Sequence, residues 1–163
     1  MSSVRVGQGF DVHPYAAEDA ARPLVLGGVS FPGERGLAGH SDADVIAHAV
    51  TDALLGAAGL GDIGEHFPDT DPALAGADSL ELLRAAAGAV RAAGWEPGNV
   101  DCTVVLDRPK LAPHRVEVQR RLSDAVGAPV TVKGKRPEGL GSLGRGEGIA
   151  CFAVALVHQE TST

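Results

Sequence analysis

The chain has 163 residues, of which 44% are apolar, and a formal net charge of -7 at neutral pH. This length predicts a single domain over residues 1–163, because it supports one hydrophobic core and is short for two. The acidic charge argues against nucleic-acid and anionic membrane partners, since both require a basic surface. No apolar run reaches the length of a membrane span, and the first ten residues lack a signal-peptide core. We therefore expect a cytoplasmic protein that binds a small molecule.

Hydrophobic periodicity predicts the secondary structure in chain order. Residues 4–9 are typical of a strand, and residues 24–31, which contain two glycines, of another strand or a bent pair of strands. Apolar residues then recur at spacings of three and four up to Leu60, which predicts a helix with Ser41 as its N-cap. The proline- and aspartate-rich segment at residues 68–72 predicts a loop.

The second half of the chain continues this mixture of helices and strands. Asp78 and Glu81 have the spacing of a capping box, and Gly94 stands where a left-handed C-terminal cap would end that helix. The remaining predicted elements are a strand at 100–106, a helix from Pro113 to Val126 ended by Gly127, and strands at 130–133 and 149–157. Because the order lacks regular βαβ alternation, it predicts an α+β fold, a two-layer sandwich with a mixed sheet packed on helices.

Two cysteines lie far apart in apolar runs, Cys102 and Cys151. They have neither the CxxC spacing of metal sites nor the density of a disulfide-rich scaffold. We expect both to be buried free thiols.

A metal site is suggested by Asp11 and His13, which flank Val12 at the end of the first strand. Since side chains alternate along a strand, both polar groups lie on the same face. If this strand packs beside the helix that carries His48, one carboxylate and two imidazoles meet. Three protein ligands leave a fourth position open, as in catalytic zinc sites, and the ligand set also suits manganese or cobalt.

The helix itself leaves an alternative open. Asp44, His48 and Asp52 recur every four residues and form a polar stripe opposite the apolar one. Such a stripe is also typical of a solvated, hydrogen-bonded face, and an Asp-x-His pair is common by chance. Spacing by itself does not decide between a metal site and a polar surface.

Three longer segments carry a resemblance to a known family: GQGFDVHPY at residues 7–15, GHSDADVIAHAVTDALLGAAGLGDIGEHFPDTDP at 39–72 and GRGEGIA at 144–150. In order and spacing they resemble 2-C-methyl-D-erythritol 2,4-cyclodiphosphate synthases, and the match covers nearly the whole chain. The resemblance implies a homotrimer around a central axis, with active sites between subunits. It also implies a phosphorus-oxygen lyase of the non-mevalonate isoprenoid pathway, which closes a cytidine diphosphate substrate into a cyclic diphosphate and releases CMP.

The resemblance also implies roles for individual residues. The zinc ligands of the family fall on Asp11, His13 and His48, which are the three residues suggested by spacing. His40 is a catalytic candidate, and Glu138 matches the carboxylate associated with a second divalent ion, usually magnesium or manganese. The matching substrate-binding residues are Asp11, His13, His40, Ser41, Asp62, Ile63, Gly64, Phe67, Pro68, Asp69, Thr70, Asp71, Leu106, Asp107, Arg108, Pro109, Lys110, Leu111, Ala112, Lys135, Arg136, Pro137, Glu138, Ser142 and Arg145.

The match departs from the family just before Glu138. Members typically have a run of threonines there, one of which is assigned to charge stabilisation, whereas this chain has Lys135, Arg136 and Pro137. Arg136 is carried over as a weak catalytic candidate, because a cation can neutralise a phosphoryl oxygen. Ser142 and Phe152 likewise replace residues that line the central cavity of better-known trimers, so binding of an isoprenoid phosphate there is not implied.

Two alternative functions remain open. A metal-dependent phosphohydrolase would use the same ligands to activate water and would release a linear product. A noncatalytic isoprenoid-phosphate-binding trimer is favoured only by the altered loop at residues 135–137.

Overall fold

A four-stranded sheet forms the centre of the fold in this computed structural model, which describes residues 3–159. In chain order the strands are β1 (Val4–Pro14), β2 (Leu24–Leu26), β3 (Val29–Phe31), β4 (Glu96–Val105), β5 (Val130–Lys135) and β6 (Gly148–His158). The sheet has the order β1-β6-β4-β5; its pairs are antiparallel except for the parallel pair β4 and β5. A separate hairpin consists of β2 and β3.

Helices cover one face of this sheet. They are α1 (Val45–Ala58), α2 (Ile63–His66), α3 (Ser79–Ala92), α4 (Arg115–Val126) and α5 (Gly141–Gly144), with 3-10 turns at Pro72–Leu74 and Ala112–His114. The most extensive helix–sheet packing is that of α1 on β1 and β6, while α3 packs on α1 and α4 on β5. The predicted α+β class, with a sheet packed on helices, is confirmed. Within residues 3–159, no helix combines the length and apolar character needed to cross a membrane.

The opposite face of the sheet exposes a stripe of apolar side chains. Val6 is 65% exposed, Phe10 45% and Phe152 46%, and they occupy alternate positions of β1 and β6. Phe10 and Phe152 are cross-strand partners whose ring centroids lie 4.8 Å apart. We call the exposed apolar residues of these strands the apolar sheet face; they are Val4, Val6, Phe10, Val12, Phe152 and Val154.

Two glycines bring β1 unusually close to α1. A Cβ atom on Gly7 would lie 2.1 Å from the carbonyl oxygen of Ala53, and one on Gly9 would lie 1.9 Å from that of Ala49. No side chain fits at these positions, so glycine in the strand and alanine in the helix allow the two backbones to touch. The same strand face continues into Asp11 and His13, which places both beside α1.

The start of α1 differs from the prediction. Ser41 is not the N-cap, because the helix begins at Val45 and the side chain of Asp44 accepts hydrogen bonds from two backbone N–H groups of the first turn. Asp44 also accepts from the N–H groups of Gly27 at 2.8 Å and Gly28 at 2.7 Å, and so joins the hairpin to the helix. Burial, reinforced by repulsion from Asp42, raises the pKa of Asp44 to about 6.

The prediction that α1 has a polar side opposite an apolar side is wrong. Asp44 is completely buried, His48 is 9% exposed, and every residue of the helix except Asp52 and Gly56 is buried. Tertiary packing surrounds this helix on nearly all sides, which the spacing of its polar residues does not reveal.

Several element boundaries also differ from the predictions. The first strand extends beyond residue 9, because β6 pairs with it from Val4 to Pro14. Residues 24–31 form the bent pair of strands, and Gly94 has the expected left-handed conformation. Asp78 caps α3, but Glu81 pairs with Arg84 and does not complete a capping box. The buried free thiols Cys102 and Cys151 are confirmed.

Candidate active site

The fold brings Asp11, His13 and His48 together as one cluster, which we call the metal triad. Oδ2 of Asp11 lies 2.9 Å from Nε2 of His13 and 3.0 Å from Nδ1 of His48, and these two ring nitrogens are 3.2 Å apart. The prediction that Asp11 and His13 of the first strand meet His48 of the helix is thus confirmed. Its cause is the close approach of β1 to α1 through Gly7 and Gly9.

The donor atoms of the triad fit a divalent ion. A tetrahedral ion with ligand bonds of about 2.0 to 2.1 Å holds its ligand atoms about 3.3 Å apart, close to the three separations observed. One carboxylate and two imidazoles are typical ligands of zinc and also of manganese or cobalt. The side chains of Asp11 and His13 keep 24% and 18% of their exposure, so a small molecule can reach the cluster.

The negative charge of the triad lies on the carboxylate of Asp11. Burial disfavours its carboxylate, but hydrogen bonds with His13 and His48 outweigh burial and lower the pKa of Asp11 to about 2. Burial likewise favours neutral His13, yet the hydrogen bond to Asp11 raises the pKa of His13 above its usual range. The cluster thus stabilises positive charge beside a carboxylate, and a bound cation would displace the histidine protons because metal ligands must be deprotonated.

Each histidine of the triad is also held by its other ring nitrogen. Nδ1 of His13 lies 2.8 Å from the carbonyl oxygen of Ala38, which leaves Nε2 directed into the triad. Nε2 of His48 lies 2.8 Å from Oγ of Ser79 and 3.1 Å from Oγ of Ser41. Such contacts fix the orientation of a histidine ligand and decide which nitrogen carries the proton.

The loop before α1 places Ser41 in contact with His48 of the triad, and His40 precedes Ser41 in the chain. Arg22 donates to the carbonyl oxygens of Gly39 at 2.8 Å and Ser41 at 2.5 Å, which holds this loop in place. Nε2 of His40 lies 2.9 Å from the carbonyl oxygen of Asp71. Ser41 is buried and its hydroxyl faces His48.

The segment of residues 62–71 follows α1 and lies alongside it, because its first part contacts α1 and Asp71 contacts His40 in the loop before α1. The N–H group of Ile63 donates to Asp52 of α1 at 2.7 Å, and burial raises the pKa of Asp52. Asp62 caps the short helix α2. The described residues of this segment are mostly exposed; those predicted to bind substrate are Asp62, Ile63, Gly64, Phe67, Pro68, Asp69, Thr70 and Asp71.

A second candidate site is a cavity of about 760 Å³, which we call the basic pocket. It brings together the two predicted segments at residues 106–112 and 135–136. Tyr15, just after β1, donates to the carbonyl oxygen of Arg108 at 2.9 Å. The basic pocket is lined by the basic side chains of Arg108, Lys110, Arg115, Lys135 and Arg136 and by the carboxylates of Glu34 and Asp107.

A family model described as the YgbB family matches residues 4–158. The chain belongs to the YgbB family. Among its relatives, the 2-C-methyl-D-erythritol 2,4-cyclodiphosphate synthase of Bordetella petrii is 59% identical over 94% of this chain and 94% of the relative. The synthase of the same name from Chromobacterium violaceum is 58% identical over 95% and 98%. The resemblance in the sequence is confirmed.

Solved structures agree with this assignment. The bifunctional IspDF from Campylobacter jejuni matches with a TM-score of 0.92 and 40% identity, over 98% of this chain and 43% of that longer protein. IspF of Plasmodium falciparum, in complex with CDP, matches with a TM-score of 0.84 and 33% identity over 99% of both chains.

In this YgbB family member, other predicted site residues lie outside both clusters. Pro137 and Glu138 are not among the residues that line the basic pocket, and Glu138 has a positive φ of 53°. Among residues 3–159, the metal triad is the one group of three or more possible metal ligands. Glu138 therefore does not belong to a second cluster of ligands. Ser142 is exposed, and exposed Arg145 pairs with Glu147 at 2.6 Å.

Sequence reasoning missed several residues of this YgbB site. Ser79 and Asp42 lie behind His48, and no local pattern connects residues so far apart in the chain. His114 and Arg115, which follow the predicted segment at 106–112, also line the basic pocket; their position next to that segment was the available signal.

Proposed function

We propose that this protein converts 4-diphosphocytidyl-2-C-methyl-D-erythritol 2-phosphate to 2-C-methyl-D-erythritol 2,4-cyclodiphosphate and releases CMP. It would act as a phosphorus-oxygen lyase in isoprenoid precursor biosynthesis by the non-mevalonate pathway, as one synthase domain over residues 1–163. The observation that carries the proposal is the metal triad, a ligand cluster built by a chain that matches synthases along almost its whole length. A cytoplasmic location remains a prediction.

Zinc is the metal we propose for Asp11, His13 and His48, with manganese or cobalt also compatible with these ligands. A second magnesium or manganese ion would be held with the help of Glu138. Divalent ions bound there would act as Lewis acids toward phosphate oxygens and neutralise charge that develops during transfer.

The reaction needs no nucleophile from the protein. An oxygen of the substrate's own 2-phosphate forms a bond to the β-phosphorus, while the bond from that phosphorus to the oxygen bridging to the α-phosphate breaks. The electron pair leaves with CMP, and no water is consumed. The task of the protein is therefore to hold the chain bent for in-line attack and to stabilise charge on phosphate oxygens.

The residues around the two sites suit this task. His40 and Ser41 precede α1 beside the triad and would contact phosphate, with His40 as the catalytic candidate. The segments at 62–64 and 67–71 would hold the methylerythritol hydroxyls. Lys110, Arg108 and the neighbouring cations of the basic pocket would hold the cytidine nucleotide, since solved relatives are described as bound to CDP. Arg136 is the weaker candidate for neutralising charge.

Two observations support a homotrimer with active sites between subunits. Of the described residues that line the basic pocket, none belongs to the metal triad, as expected if the pocket of one subunit completes the triad of its neighbour. The apolar sheet face is exposed to solvent in the single chain, as expected of a surface that becomes buried when subunits associate. Sedimentation should give a trimer that Phe152→Glu dissociates, whereas Val116→Glu, which alters a 79% exposed valine on α4, should leave it intact.

The function is tested by incubating the purified chain with the substrate, zinc and magnesium. Phosphorus NMR should show the cyclic diphosphate and CMP in equal amounts. A linear phosphate or diphosphate would show a phosphohydrolase instead, and binding without any product would show a noncatalytic binder.

A further inference from the structure

We infer that Ser79 and Asp42 are positioning residues of the metal triad: they hold His48 with its proton on Nε2 and its lone pair on Nδ1 facing the ion. The inference rests on the proposed metal site, and it gives a role to two residues that are not proposed metal ligands. Both lie on the far side of the His48 ring from Asp11 and His13, so they act on the ion only through His48.

The carboxylate of Asp42 is held by three donors. Its Oδ2 accepts from the backbone N–H of Ser79 at 3.1 Å, and its Oδ1 accepts from the N–H of Asp44 at 3.1 Å and from the hydroxyl of Ser79. A carboxylate has acceptors only, so the hydroxyl proton of Ser79 is directed to Asp42. Asp42 thereby fixes the direction of the next hydrogen bond.

The lone pairs of the Ser79 oxygen are then the part of the hydroxyl that faces His48. Nε2 of His48 lies 2.8 Å away, and a hydrogen bond there requires the proton to be on Nε2. Neutral imidazole carries one ring proton, so Nδ1 keeps its lone pair. Nδ1 is the atom that lies 3.0 Å from Asp11 and 3.2 Å from His13, inside the triad. The chain Asp42, Ser79, His48 therefore selects the ligand nitrogen.

Packing makes this arrangement specific to the folded chain. Ser79 is fully buried at the first residue of α3, and α3 packs on α1, which carries His48. Ser41 supplies a second oxygen 3.1 Å from Nε2, but it already accepts the N–H of Ala43 at 3.2 Å and lies farther away than Ser79. The shorter contact and the fixed proton direction assign the main role to Ser79.

Zinc affinity, measured by competition with a chromophoric chelator at constant pH, tests the inference. Ser79→Ala and Asp42→Asn should each weaken zinc binding about 10- to 100-fold, as is usual when the partner of a histidine ligand is removed. Asp78→Ala is the matched control: it removes the N-cap of the same helix, which bonds Leu80 and not His48, and should stay within about threefold of the wild type.

NMR of the zinc-loaded protein with nitrogen-15-labelled histidine measures the His48 ring proton directly. A general loss of stability would not change the nitrogen on which this proton lies. The wild type should show a protected ring proton on Nε2 of His48, and this protection should be lost in Ser79→Ala but kept in Asp78→Ala. A His48 proton on Nδ1, or wild-type zinc affinity in both variants, would overturn the inference. If Ser79→Ala does not fold, Asp42→Asn still tests it, because Asp42 is only half-buried.

The two proposals fail in different ways. A wild-type protein that binds zinc tightly but forms no cyclic product contradicts the proposed function alone. Variants that bind zinc as the wild type does, in an enzyme that makes the cyclic product, contradict the positioning role alone.

Discussion

The metal triad lies between β1 and α1, and polar atoms contact both ring nitrogens of each histidine, whereas the cations of the basic pocket extend into solvent. His48 is 9% exposed, but the side chains of Arg108 and Arg136 are 77% and 72% exposed. Arg136 makes a long contact, 3.5 Å, with Asp107. One region is therefore organised in the single chain, whereas the exposed side chains of the other would lose freedom on binding a ligand.

This difference fits the two tasks proposed for the regions. Charge stabilisation during phosphoryl transfer depends on groups that do not have to reorganise. Nucleotide binding tolerates mobile side chains, which lose freedom when the ligand binds and so contribute affinity in smaller steps. Substitutions in the first region should alter turnover or folding strongly, and those in the second should alter substrate affinity mildly.

The largest effect is expected from His48→Ala, which removes a ligand from the triad. Turnover should fall at least about 1,000-fold, because the charge stabilisation supplied through the metal is lost. His158→Ala, which replaces a histidine at the end of β6 outside the triad, should keep turnover within about twofold of wild type. Unchanged turnover of His48→Ala with full metal loading would remove zinc from the mechanism.

Gly9→Ala should have the next largest effect, on stability. Its Cβ atom would lie 1.9 Å from the backbone of α1, so strand and helix must separate, at a cost of about 3 kcal/mol in the free energy of unfolding. The same shift should weaken zinc binding. Gly88→Ala in α3 is the matched control. Outside its own helical backbone, no atom of residues 3–159 lies within 4 Å of the added Cβ, so the substitution should stabilise by up to about 1 kcal/mol. Urea denaturation measures both; equal stabilities would refute the close approach of β1 to α1.

Lys110→Ala should have a moderate effect confined to binding. Loss of the charged contact proposed between Lys110 and the nucleotide should raise KM about tenfold, with kcat and zinc content nearly unchanged. Lys133→Ala removes a lysine that pairs with Asp101 and does not line the basic pocket, so its KM should match that of the wild type. A fall in kcat without a change in KM would place Lys110 in the transfer step instead.

Arg136→Ala should have the smallest effect, about a threefold rise in KM, because this side chain is exposed and loosely held before the ligand binds. Steady-state kinetics at low and high salt would measure it. If turnover instead fell by about two orders of magnitude, Arg136 would be stabilising charge in the transition state, and the two regions would then share the catalytic work.

The sequence predicted those parts of the fold that depend on local periodicity. Strand alternation places Asp11 and His13 on one face, and left-handed glycines end helices where expected, as at Gly94 and Gly127. It misassigned the N-cap of α1 to Ser41, because serine and aspartate are both good caps and only the hairpin glycines that also bond Asp44 distinguish them. The extension of β1 to Pro14 depends on pairing with β6, a distant segment.

The sequence by itself determined the family and the identity of the three candidate metal ligands, because family motifs and strand alternation are local features of the chain. Tertiary structure decided that His48 meets Asp11 and His13, since only packing of Gly7 and Gly9 against α1 brings residues 37 and 35 positions apart into contact. It also decided which nitrogen of His48 faces the triad, because Ser79 reaches that ring from another helix. Hydrogen bonds between distant segments leave no periodic trace in the chain.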